Sequence, residues 1–378
     1  MRITMFLFHT FQNDHRILKE ARSLITAGHE VTLIALRTDD SLPAERNEEG
    51  IRVIRLRMRR WPFRKGRYLE YFLRAGWNGW RSKADVYHCH DLDTLVPALL
   101  ASRWRRSPLI YDSHELFTET HSLVGREREK RIWSWIERTF IPHATRTITV
   151  SDPIAEEMSR RYGMARPRVI RNCPAYHPPP TPRPLLEAAG DEPLFLCQGY
   201  LQKGRGLEML VGAMLHVERG RLVLLGDGEM REELQALIQN LKLQEKVHLL
   251  PAVPIEELPS YTASATLGLI AYSTVSLNFL YALPNKFFEY VMAGVPVLST
   301  PIPEVARLIE EHELGWVLAD PSPQSLADEM NRIARCGDEI ARRKENCLRA
   351  ARKLHWGEEE KKLLALYREV EGIRRGSK

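Results

Sequence analysis

The sequence predicts an α/β protein made of two doubly wound parallel-sheet domains. Short apolar strands alternate with helical stretches through the first half of the chain, and the same alternation restarts at Leu194. Between the halves lies a proline-rich segment, residues 173–193, which forms a stiff connector and cannot become helical. At 378 residues, the chain is long enough for each half to bury its own core.

The first domain opens with an apolar strand at residues 2–8, and a polar loop then leads into the first helix. Strand 31–36 follows. Open parallel sheets bind ligands in the loops that follow their strands, which makes Asp14 and Arg16 candidate binding residues. Capping the helix is an equally good role for Asp14.

Residues 55–83 hold ten Arg or Lys residues against a single acidic one, Glu70. Aromatic residues are interleaved with them: Trp61, Phe63, Tyr68, Tyr71, Phe72, Trp77 and Trp80. This combination suits an anionic membrane surface, and single-stranded nucleic acid could use it too. The alternative is a solvated basic helix whose aromatic rings face the core. A second basic helix, 126–141, carries Trp133 and Trp135 and is another candidate surface.

Two stretches, residues 85–91 and 109–115, each predict a strand that ends in titratable side chains. Those side chains are His88, His90, Asp91, Asp112, His114 and Glu115. Such groups at the ends of neighbouring strands are typical of active sites. A metal site at the first stretch lacks a further close ligand, so no metal is expected. For His90, a buried, hydrogen-bonded histidine is an equal alternative.

In the second domain, strand 194–198 leads into a glycine-rich turn, residues 199–206. Glycines such as Gly199 let the backbone approach a ligand, and Lys203 and Arg205 add cationic donors. A structural turn with solvated charges is the alternative. Further strands and helices are predicted at 146–150, 152–163, 167–171, 221–225, 247–250, 267–271, 303–311 and 323–336, with a charged helix after Trp356.

Residues 283–300 predict a short helix followed by a buried strand, with Pro284 at its start and Gly294 at its end. One face carries Phe287, Phe288 and Val291, and the other carries Asn285, Lys286, Glu289 and Ala293. The helix start and the ammonium can hold an anion, and the carboxylate can accept hydrogen bonds from vicinal hydroxyls. A nucleoside diphosphate supplies both groups. A surface helix with a solvated Lys286–Glu289 pair is the alternative.

Composition limits the class of protein. Hydrophobic residues make up 44% and charged residues 28%, as in a globular chain, and the net charge is +6. No apolar run approaches the roughly 20 residues of a membrane span, and the apolar start is too short for a signal peptide. The five scattered cysteines suit reduced thiols. We therefore expect a cytoplasmic protein that can be peripheral on the inner face of the membrane.

Residues 283–300 resemble the donor-binding helix of family 4 glycosyltransferases, retaining enzymes of the GT-B fold, in the branch that carries Pro-Asn-Lys before the helix. That fold places two Rossmann-like domains face to face across a cleft. The resemblance implies an acceptor-binding domain at 1–172, joined by the last helix at about 357–378. It implies a linker at 173–193 and a nucleotide-sugar-binding domain at 194–356.

The resemblance also assigns the donor-binding residues. Glu289 matches the family's ribose ligand, and Tyr281 stands where many members carry a second glutamate near the transferred sugar. Arg205 matches one of the two cations that grip the diphosphate, Tyr200 replaces the other, and Lys203 is its expected substitute. The remaining candidates are Gly199, Asn285 and Lys286 around the diphosphate and Val253 in the loop that reads the nucleobase.

For the first domain, the resemblance places His114 beside the donor sugar. Asp91 and Glu115 are the further catalytic candidates, and Asp14, Arg16 and His90 lie on the acceptor side. The family's glycine pair in the first loop has no counterpart in residues 9–14, so no phosphate contact is expected there.

Together with these features, the resemblance implies a metal-independent transferase that moves a sugar, with retention, from a UDP- or GDP-linked donor to a glycan or lipid-linked acceptor in cell-envelope polysaccharide synthesis. No cofactor and no nucleic acid are expected. The alternatives are a sugar-nucleotide epimerase of the same fold and a non-catalytic nucleotide-sugar binding protein.

Overall fold

The computed structural model describes residues 1–12, 14–38, 41–59, 64–120, 123–186, 192–273 and 276–376. The chain divides into two compact units, the first formed by Met1–Arg171 with Glu359–Lys378 and the second by Asn172–Glu358. The described residues 172–186, beside this division, form neither helix nor strand. The roles expected for the two domains stay predictions.

The first unit contains a sheet with strand order β3-β4-β2-β1-β5-β6-β7-β8 in its described part. The strands are β1 (Arg2–Phe6), β2 (Glu30–Arg37), β3 (Glu45–Glu48), β4 (Ile51–Arg57), β5 (Val86–His90), β6 (Leu109–Ser113), β7 (Arg146–Thr149) and β8 (Arg168–Val169). All neighbouring pairs are parallel except β3 with β4, which form an antiparallel edge. The sequence had suggested neither β3 nor β4.

Helices cover the faces of this sheet. They are α1 (His15–Thr26), α2 (Arg64–Ser82), α3 (Leu92–Arg105), α4 (Glu127–Phe140) and α5 (Asp152–Tyr162), with single 3₁₀ turns at Phe117–Glu119 and Ile141–His143. The last helix, α14 (Trp356–Gly376), joins the first unit from Glu359 onward. Its Tyr367 is buried and hydrogen-bonds to Nδ1 of His88 at 2.9 Å, so this helix contributes to the unit's core.

The second unit contains a parallel sheet in the order β11-β10-β9-β12-β13-β14. Its strands are β9 (Leu194–Gln198), β10 (Arg221–Leu225), β11 (Val247–Leu250), β12 (Leu267–Ile270), β13 (Val297–Ser299) and β14 (Gly315–Val317). Its helices are α6 (Leu207–Ala213), α7 (Arg231–Asn240), α8 (Leu258–Thr262), α9 (Leu277–Leu280), α10 (Asn285–Met292), α11 (Pro303–His312), α12 (Pro323–Ala334) and α13 (Gly337–Ala351).

Two hydrophobic clusters, one on each face of this second sheet, fill the unit. The helix α10 belongs to one of them through Phe287, Phe288 and Val291, as its apolar periodicity predicts. Gly294 follows the helix with φ +71°, the left-handed conformation expected of a C-terminal glycine. The prediction of two doubly wound α/β domains is confirmed. Among the described residues, none of the helices combines the length and the apolarity that a bilayer span requires.

Candidate functional site

The titratable side chains of the first unit gather at the carboxyl ends of β5 and β6. These strands are parallel neighbours, and His90 lies in register with Asp112. Parallel register brings strand ends together, so residues far apart in sequence meet at one edge of the sheet. The sequence prediction that residues 85–91 and 109–115 lie together is therefore met within this unit.

A buried ion pair underlies this cluster. The Arg16 guanidinium donates to both carboxylate oxygens of Asp112, at 3.0 and 2.9 Å from its terminal nitrogen, and to the carbonyl of Ile170 at 3.1 Å. Asp112 is fully buried and Arg16 is 4% exposed. Burial alone would raise the pKa of Asp112, but the guanidinium outweighs it and holds that pKa well below its usual range.

His114 is partly exposed to solvent, with 21% of its side chain accessible, as is its neighbour Asp91, at 28%. Its Nδ1 lies 3.3 Å from Asp91 and its Nε2 lies 3.4 Å from Asp112. Burial lowers the pKa of this imidazole, yet the two carboxylates outweigh burial and raise the pKa to about 9. At neutral pH, His114 is therefore an imidazolium, which can donate hydrogen bonds to a ligand but cannot serve as a general base.

We expect a nuclear magnetic resonance titration to find the His114 pKa near 9 in the folded protein. An unfolded histidine titrates at about 6.5. The stabilisation from His114 is then fully present below about pH 6.5 and is lost as the pH rises through about 9. In Asp91→Asn, the His114 pKa should fall clearly, because one of the two carboxylates is gone. A pKa below 7 in the parent protein would contradict this assignment.

Four buried side chains in the same region place potential metal ligands close together. One atom from each of Glu20, His88, His90 and Asp112 lies within 4.8 Å of the others. However, Arg16 already pairs with Asp112 and lies 3.1 Å from Glu20. A cation bound here would meet the guanidinium at short range, so the cluster is a poor fit for a metal. Instead, burial raises the pKa of Glu20 to about 8, which keeps this carboxyl protonated at neutral pH.

The remaining predicted residues of the first unit differ in burial: Asp14 and Glu115 are half-buried, whereas Arg16 and His90 are buried. Asp14 caps α1 by accepting from the backbone N–H of Ile17 at 3.0 Å, and His9 lies 3.2 Å from its carboxylate. Glu115 is half-buried, and its carbonyl accepts from the Ser113 hydroxyl at 2.8 Å. Arg16 is almost completely buried, which weighs against direct contact with an acceptor. It lies in the interior of the unit and supports Asp112.

His90 also lies inward. It is buried, its Nδ1 lies 3.2 Å from Nε2 of His114, and its ring stacks on that of His88 with centroids 4.3 Å apart. Burial lowers the pKa of His90 and of His88, so both are neutral. The structure thus favours the buried-histidine alternative for His90, with His114 as the residue it supports.

In the second unit, the turns after β9 and β10 contain glycines at positions where the backbone closely contacts another backbone segment. Gly206 has φ +67°, and a Cβ there would come within 1.8 Å of the Ala271 carbonyl oxygen. Gly226 has φ +146°, and a Cβ there would come within 2.2 Å of the Gly199 carbonyl oxygen. The turns after β9 and β10 therefore pack backbone to backbone, a geometry that only glycine permits.

Two cations converge beside this turn. A Cβ on Gly199 would lie 3.6 Å from a terminal nitrogen of Arg205 and 3.8 Å from the Lys286 side chain. Both cations also lie over the ring of Tyr272, Arg205 at 5.6 Å and Lys286 at 5.7 Å from its centroid. Arg205 donates to the carbonyl of Tyr200 at 3.0 Å, but its buried Nε has no hydrogen-bond partner among the described residues.

The Lys286 ammonium is the most informative group of this unit. Lys286 is 6% exposed, and its Nζ lies 3.5 Å from the Cys197 sulfur. Within the described part of the chain, it forms no ion pair with a carboxylate. A buried charge without a counter-ion is costly, so an anion bound at this position would be strongly stabilising. The alternative of a solvated surface lysine is wrong.

Glu289, one turn along α10, is held by a chain of side chains from three elements. The Gln198 amide donates to the Glu289 carboxylate at 2.5 Å, and the Thr262 hydroxyl donates to the Gln198 carbonyl oxygen at 2.9 Å. These contacts fix the carboxylate at the carboxyl end of β9, beside the turn that carries Gly199. The half-buried carboxylate is thus positioned to accept hydrogen bonds.

The other predicted donor residues lie further from this centre. Lys203 is 57% exposed, and its ammonium lies 3.7 Å from Glu233. Asn285 is exposed at the first turn of α10, while Tyr281 and Val253 are partly buried. The structure brings Gly199, Arg205, Lys286 and Glu289 together around Gln198 and Tyr272 and leaves Lys203 at the surface.

Gln198, Tyr272 and Thr262 were not predicted from the sequence. Gln198 ends an apolar strand, and a polar residue at that point is a signal that could have identified it. Tyr272 follows β12 in a similar way. In the first unit, Glu20 and Tyr367 were also missed. Nothing in their local sequence distinguishes them from ordinary helix residues.

The predicted docking stretches are only partly described. Trp61 and Phe63 lie outside the described residues, and Arg55 is buried in β4 and paired with Glu48 at 2.6 Å. Along α2, Tyr71 is fully buried, but Trp77 is 52% exposed. In α4, Trp133 is buried and Trp135 is exposed. The aromatic residues therefore divide between the core and the surface.

Comparisons with known protein families cover nearly the whole chain. Residues 15–173 match the family described as "Glycosyl transferase 4-like domain". Residues 182–353 match the family described as "Glycosyl transferases group 1". The two matches meet close to the division between the compact units.

Several curated proteins are similar in sequence. An uncharacterized glycosyltransferase of Methanocaldococcus jannaschii is 26% identical over 336 residues, which span 83% of this chain and 82% of the relative. The alpha-D-kanosaminyltransferase of Streptomyces kanamyceticus is 25% identical, over 62% of this chain and 63% of the relative. A putative colanic acid biosynthesis glycosyltransferase of Escherichia coli is 25% identical, over 43% of this chain and 41% of the relative.

Solved structures confirm the fold. A sucrose-phosphate synthase from Thermosynechococcus elongatus superposes with a TM-score of 0.81 at 17% identity, covering 99% of this chain and all of the other. HepE from Anabaena, crystallised with UDP-glucose, superposes with a TM-score of 0.75 at 15% identity, covering 98% of this chain and all of the other. The chain is a glycosyltransferase of the GT-B fold, with a glycosyltransferase 4-like domain in its first half and a group 1 domain in its second.

Proposed function

We propose that this enzyme transfers a sugar, with retention of anomeric configuration, from a UDP- or GDP-linked donor bound by the second unit to an acceptor bound by the first. The observation that carries the proposal is the buried Lys286 ammonium, which has no carboxylate partner among the described residues. A nucleotide diphosphate can supply the negative charge that this ammonium needs as a counter-ion.

The diphosphate binds at the start of α10. Lys286 and Arg205 approach the same turn, and the unpartnered Nε of Arg205 is a further donor for a phosphate oxygen. The free backbone N–H groups of the first helical turn add to them, and Lys203 adds charge from the surface. These cations can neutralise the developing charge on the leaving group, so the reaction needs no metal.

The ribose binds at Glu289. Gln198 and Thr262 hold the carboxylate in place, and a positioned carboxylate accepts hydrogen bonds from vicinal hydroxyls strongly. The nucleobase lies against the backbone around Val253. Tyr281 replaces the glutamate that many family members place near the transferred sugar, so the sugar is selected by other contacts.

In the first unit, His114 contacts the donor sugar as an imidazolium, oriented by Asp91 and Asp112. It cannot also be the base, since its raised pKa keeps it protonated at neutral pH. The departing phosphate oxygen therefore accepts the proton of the acceptor hydroxyl. Of the other predicted residues in the first unit, Glu115 and Asp14 position the acceptor.

The acceptor is presented at a membrane surface, as a lipid-linked or envelope glycan. Exposed arginines and tryptophans lie along α2 and α4. Each basic residue near an anionic leaflet contributes about 1 kcal/mol, so a few suffice for reversible docking. In this proposal, the enzyme works at the cytoplasmic face of the membrane. The relative named for colanic acid biosynthesis supports a role in envelope polysaccharide synthesis.

The assignment of Glu289 is tested by calorimetry with UDP and with GDP. We expect Glu289→Ala to weaken binding of the preferred nucleotide by roughly 1.5–3 kcal/mol, the scale for losing charge-assisted hydrogen bonds. Glu310→Ala, which changes an exposed glutamate of the same unit, is the matched control and should leave binding unchanged. Equal affinities in both variants would refute the ribose role, and loss of binding in chelator would refute metal independence.

A further inference from the structure

An apolar cavity of about 300 Å³ lies between α2 and α4 in the first unit. Its walls include Tyr68, Leu69 and Phe72 from α2 and Ile132, Trp133 and Ile136 from α4. Such a size lies at the lower end of ordinary ligand pockets, which run from about 300 to 1,000 Å³. The cavity is not part of the cluster around His114 and Asp112.

The mouth of the cavity continues into an exposed apolar surface. Leu69, Leu73 and Trp77 follow one another at intervals of four along α2, so they form one stripe, and each is more than half exposed. On α4, Ile132 and Trp135 are exposed as well. Monomeric proteins rarely leave contiguous apolar surface open to water without a function.

The surface around the cavity carries more positive than negative charge. Among the described side chains of α2, the exposed charged ones are all arginines, namely Arg67, Arg74 and Arg81. Arg126 and Glu129 both line the cavity, and the exposed charged residues of α4 are three arginines, Arg128, Arg131 and Arg138, against Glu127 and Glu129. A partner that fits both features has an apolar chain and an anionic head.

The cavity also borders the loops that hold the candidate acceptor residues. Phe117, in its wall, follows Glu115 by two residues. Tyr68 stacks on Phe8 with ring centroids 4.7 Å apart, and His9, next in sequence, lies beside the Asp14 carboxylate. A chain in the cavity would therefore present its polar end close to these two loops.

We propose that this cavity holds the hydrocarbon chain of a lipid-linked acceptor, with the phosphate of that lipid among the arginines at the cavity mouth. The inference rests on the proposed function and deepens it, since it names the acceptor class as an anionic lipid carrying a sugar or a hydroxyl. The chain anchors the acceptor, and the head reaches toward the loops at Glu115 and Asp14.

The test uses octyl, decyl and dodecyl phosphate as monomeric probes, with binding to the full-length protein measured by calorimetry below their micelle concentrations. Burying each CH₂ group contributes up to about fourfold to affinity, so the four additional groups set a ceiling of roughly 250-fold, and we expect dodecyl phosphate to bind at least tenfold more tightly than octyl phosphate. Dodecyl maltoside, which has no anionic head, should bind more weakly than dodecyl phosphate.

Two double variants separate the cavity from the surface around it. Leu69→Gln with Ile132→Gln changes two exposed lining residues, 60% and 44% exposed, so folding should persist. It should lower the affinity for dodecyl phosphate at least tenfold. Leu73→Gln with Trp135→Gln changes exposed apolar residues of the same helices that do not line the cavity, and it should alter the affinity less than twofold.

The proposal would be overturned if both double variants lost the same affinity for dodecyl phosphate, or if affinity did not depend on the length of the alkyl chain. The apolar surface would then contain no binding site for a hydrocarbon chain. Affinity of the parent protein for UDP or GDP is measured in parallel. If a nucleotide binds but no alkyl phosphate does, the cavity proposal fails and the proposed function stands. If neither class of probe binds, both fail.

Discussion

Replacing Asp112 by alanine is expected to destabilise the protein by about 3–5 kcal/mol, the usual effect of removing one partner of a buried ion pair. The variant removes the ionised partner of the buried Arg16 guanidinium and leaves it only Glu20, 3.1 Å away and protonated in the parent protein at neutral pH, and it takes one hydrogen-bonding partner from His114. Equilibrium denaturation by urea measures the loss. The large effect arises because the remaining charge cannot reach water.

Glu45→Ala is the control, because Glu45 pairs with Arg52 at 2.6 Å on the surface of the same unit, with both side chains more than half exposed. Its effect should stay below about 1 kcal/mol. The double variant Arg16→Leu with Asp112→Leu should be less destabilised than Asp112→Ala, since no unpaired charge is left buried. A loss of under 1 kcal/mol in Asp112→Ala would show that the pair is not buried as described.

Replacing Lys286 by methionine is expected to lower kcat by about 10²–10³-fold, the scale for removing one donor that stabilises developing charge. Methionine keeps the length and the apolar stem of lysine, so the packing around this buried position is largely retained. Because the ammonium is buried and lacks a carboxylate partner among the described residues, its removal should not lower stability and can raise it. Steady-state kinetics and thermal unfolding measure the two effects.

Lys344→Met, which changes an exposed lysine on α13, should leave both kcat and stability unchanged. Lys203→Met should have an intermediate effect, because that ammonium is exposed and lies 3.7 Å from Glu233. If Lys286→Met retains kcat within about threefold, the assignment of the diphosphate site to the start of α10 is wrong.

The fold could be predicted because its signals are local. Short apolar runs bounded by turns mark nearly every strand of both sheets, and the helix α10 shows its core face through Phe287, Phe288 and Val291. The antiparallel edge formed by β3 and β4 was missed. The four-residue β3 is polar and exposed, so it carries no apolar pattern, whereas β4 alternates apolar and charged residues and could have been predicted.

The candidate sites could be predicted only in outline. Strand ends pointed to Asp112 and His114, and the helix start pointed to Lys286. The hydrogen bonds within the sites join distant parts of the chain. Gln198 and Glu289 are 91 residues apart, and His88 and Tyr367 are 279 residues apart. No spacing rule in a single sequence connects such pairs.

The burial of Arg16 and Lys286 could not be predicted from the sequence either. A sequence indicates that a residue carries a charge, but the surrounding packing decides whether the charge meets water. Arg16 was predicted as a residue of the acceptor side, and its burial against Asp112 could not be read from its sequence position. Lys286 had a solvated surface role as its alternative, and its burial beside Cys197 excludes that role.

The most direct test of the central claim is to incubate the enzyme with UDP- and GDP-sugars labelled in the sugar, in the presence of a membrane extract. We predict that label from one donor moves into the lipid-extractable fraction, that the new linkage has the anomeric configuration of the donor, and that Glu289→Ala abolishes most of the transfer. Label recovered as free sugar or as an isomerised nucleotide sugar would contradict the claim and indicate an epimerase. Binding of a nucleotide sugar without any turnover would contradict it as well, and would indicate a non-catalytic binding protein.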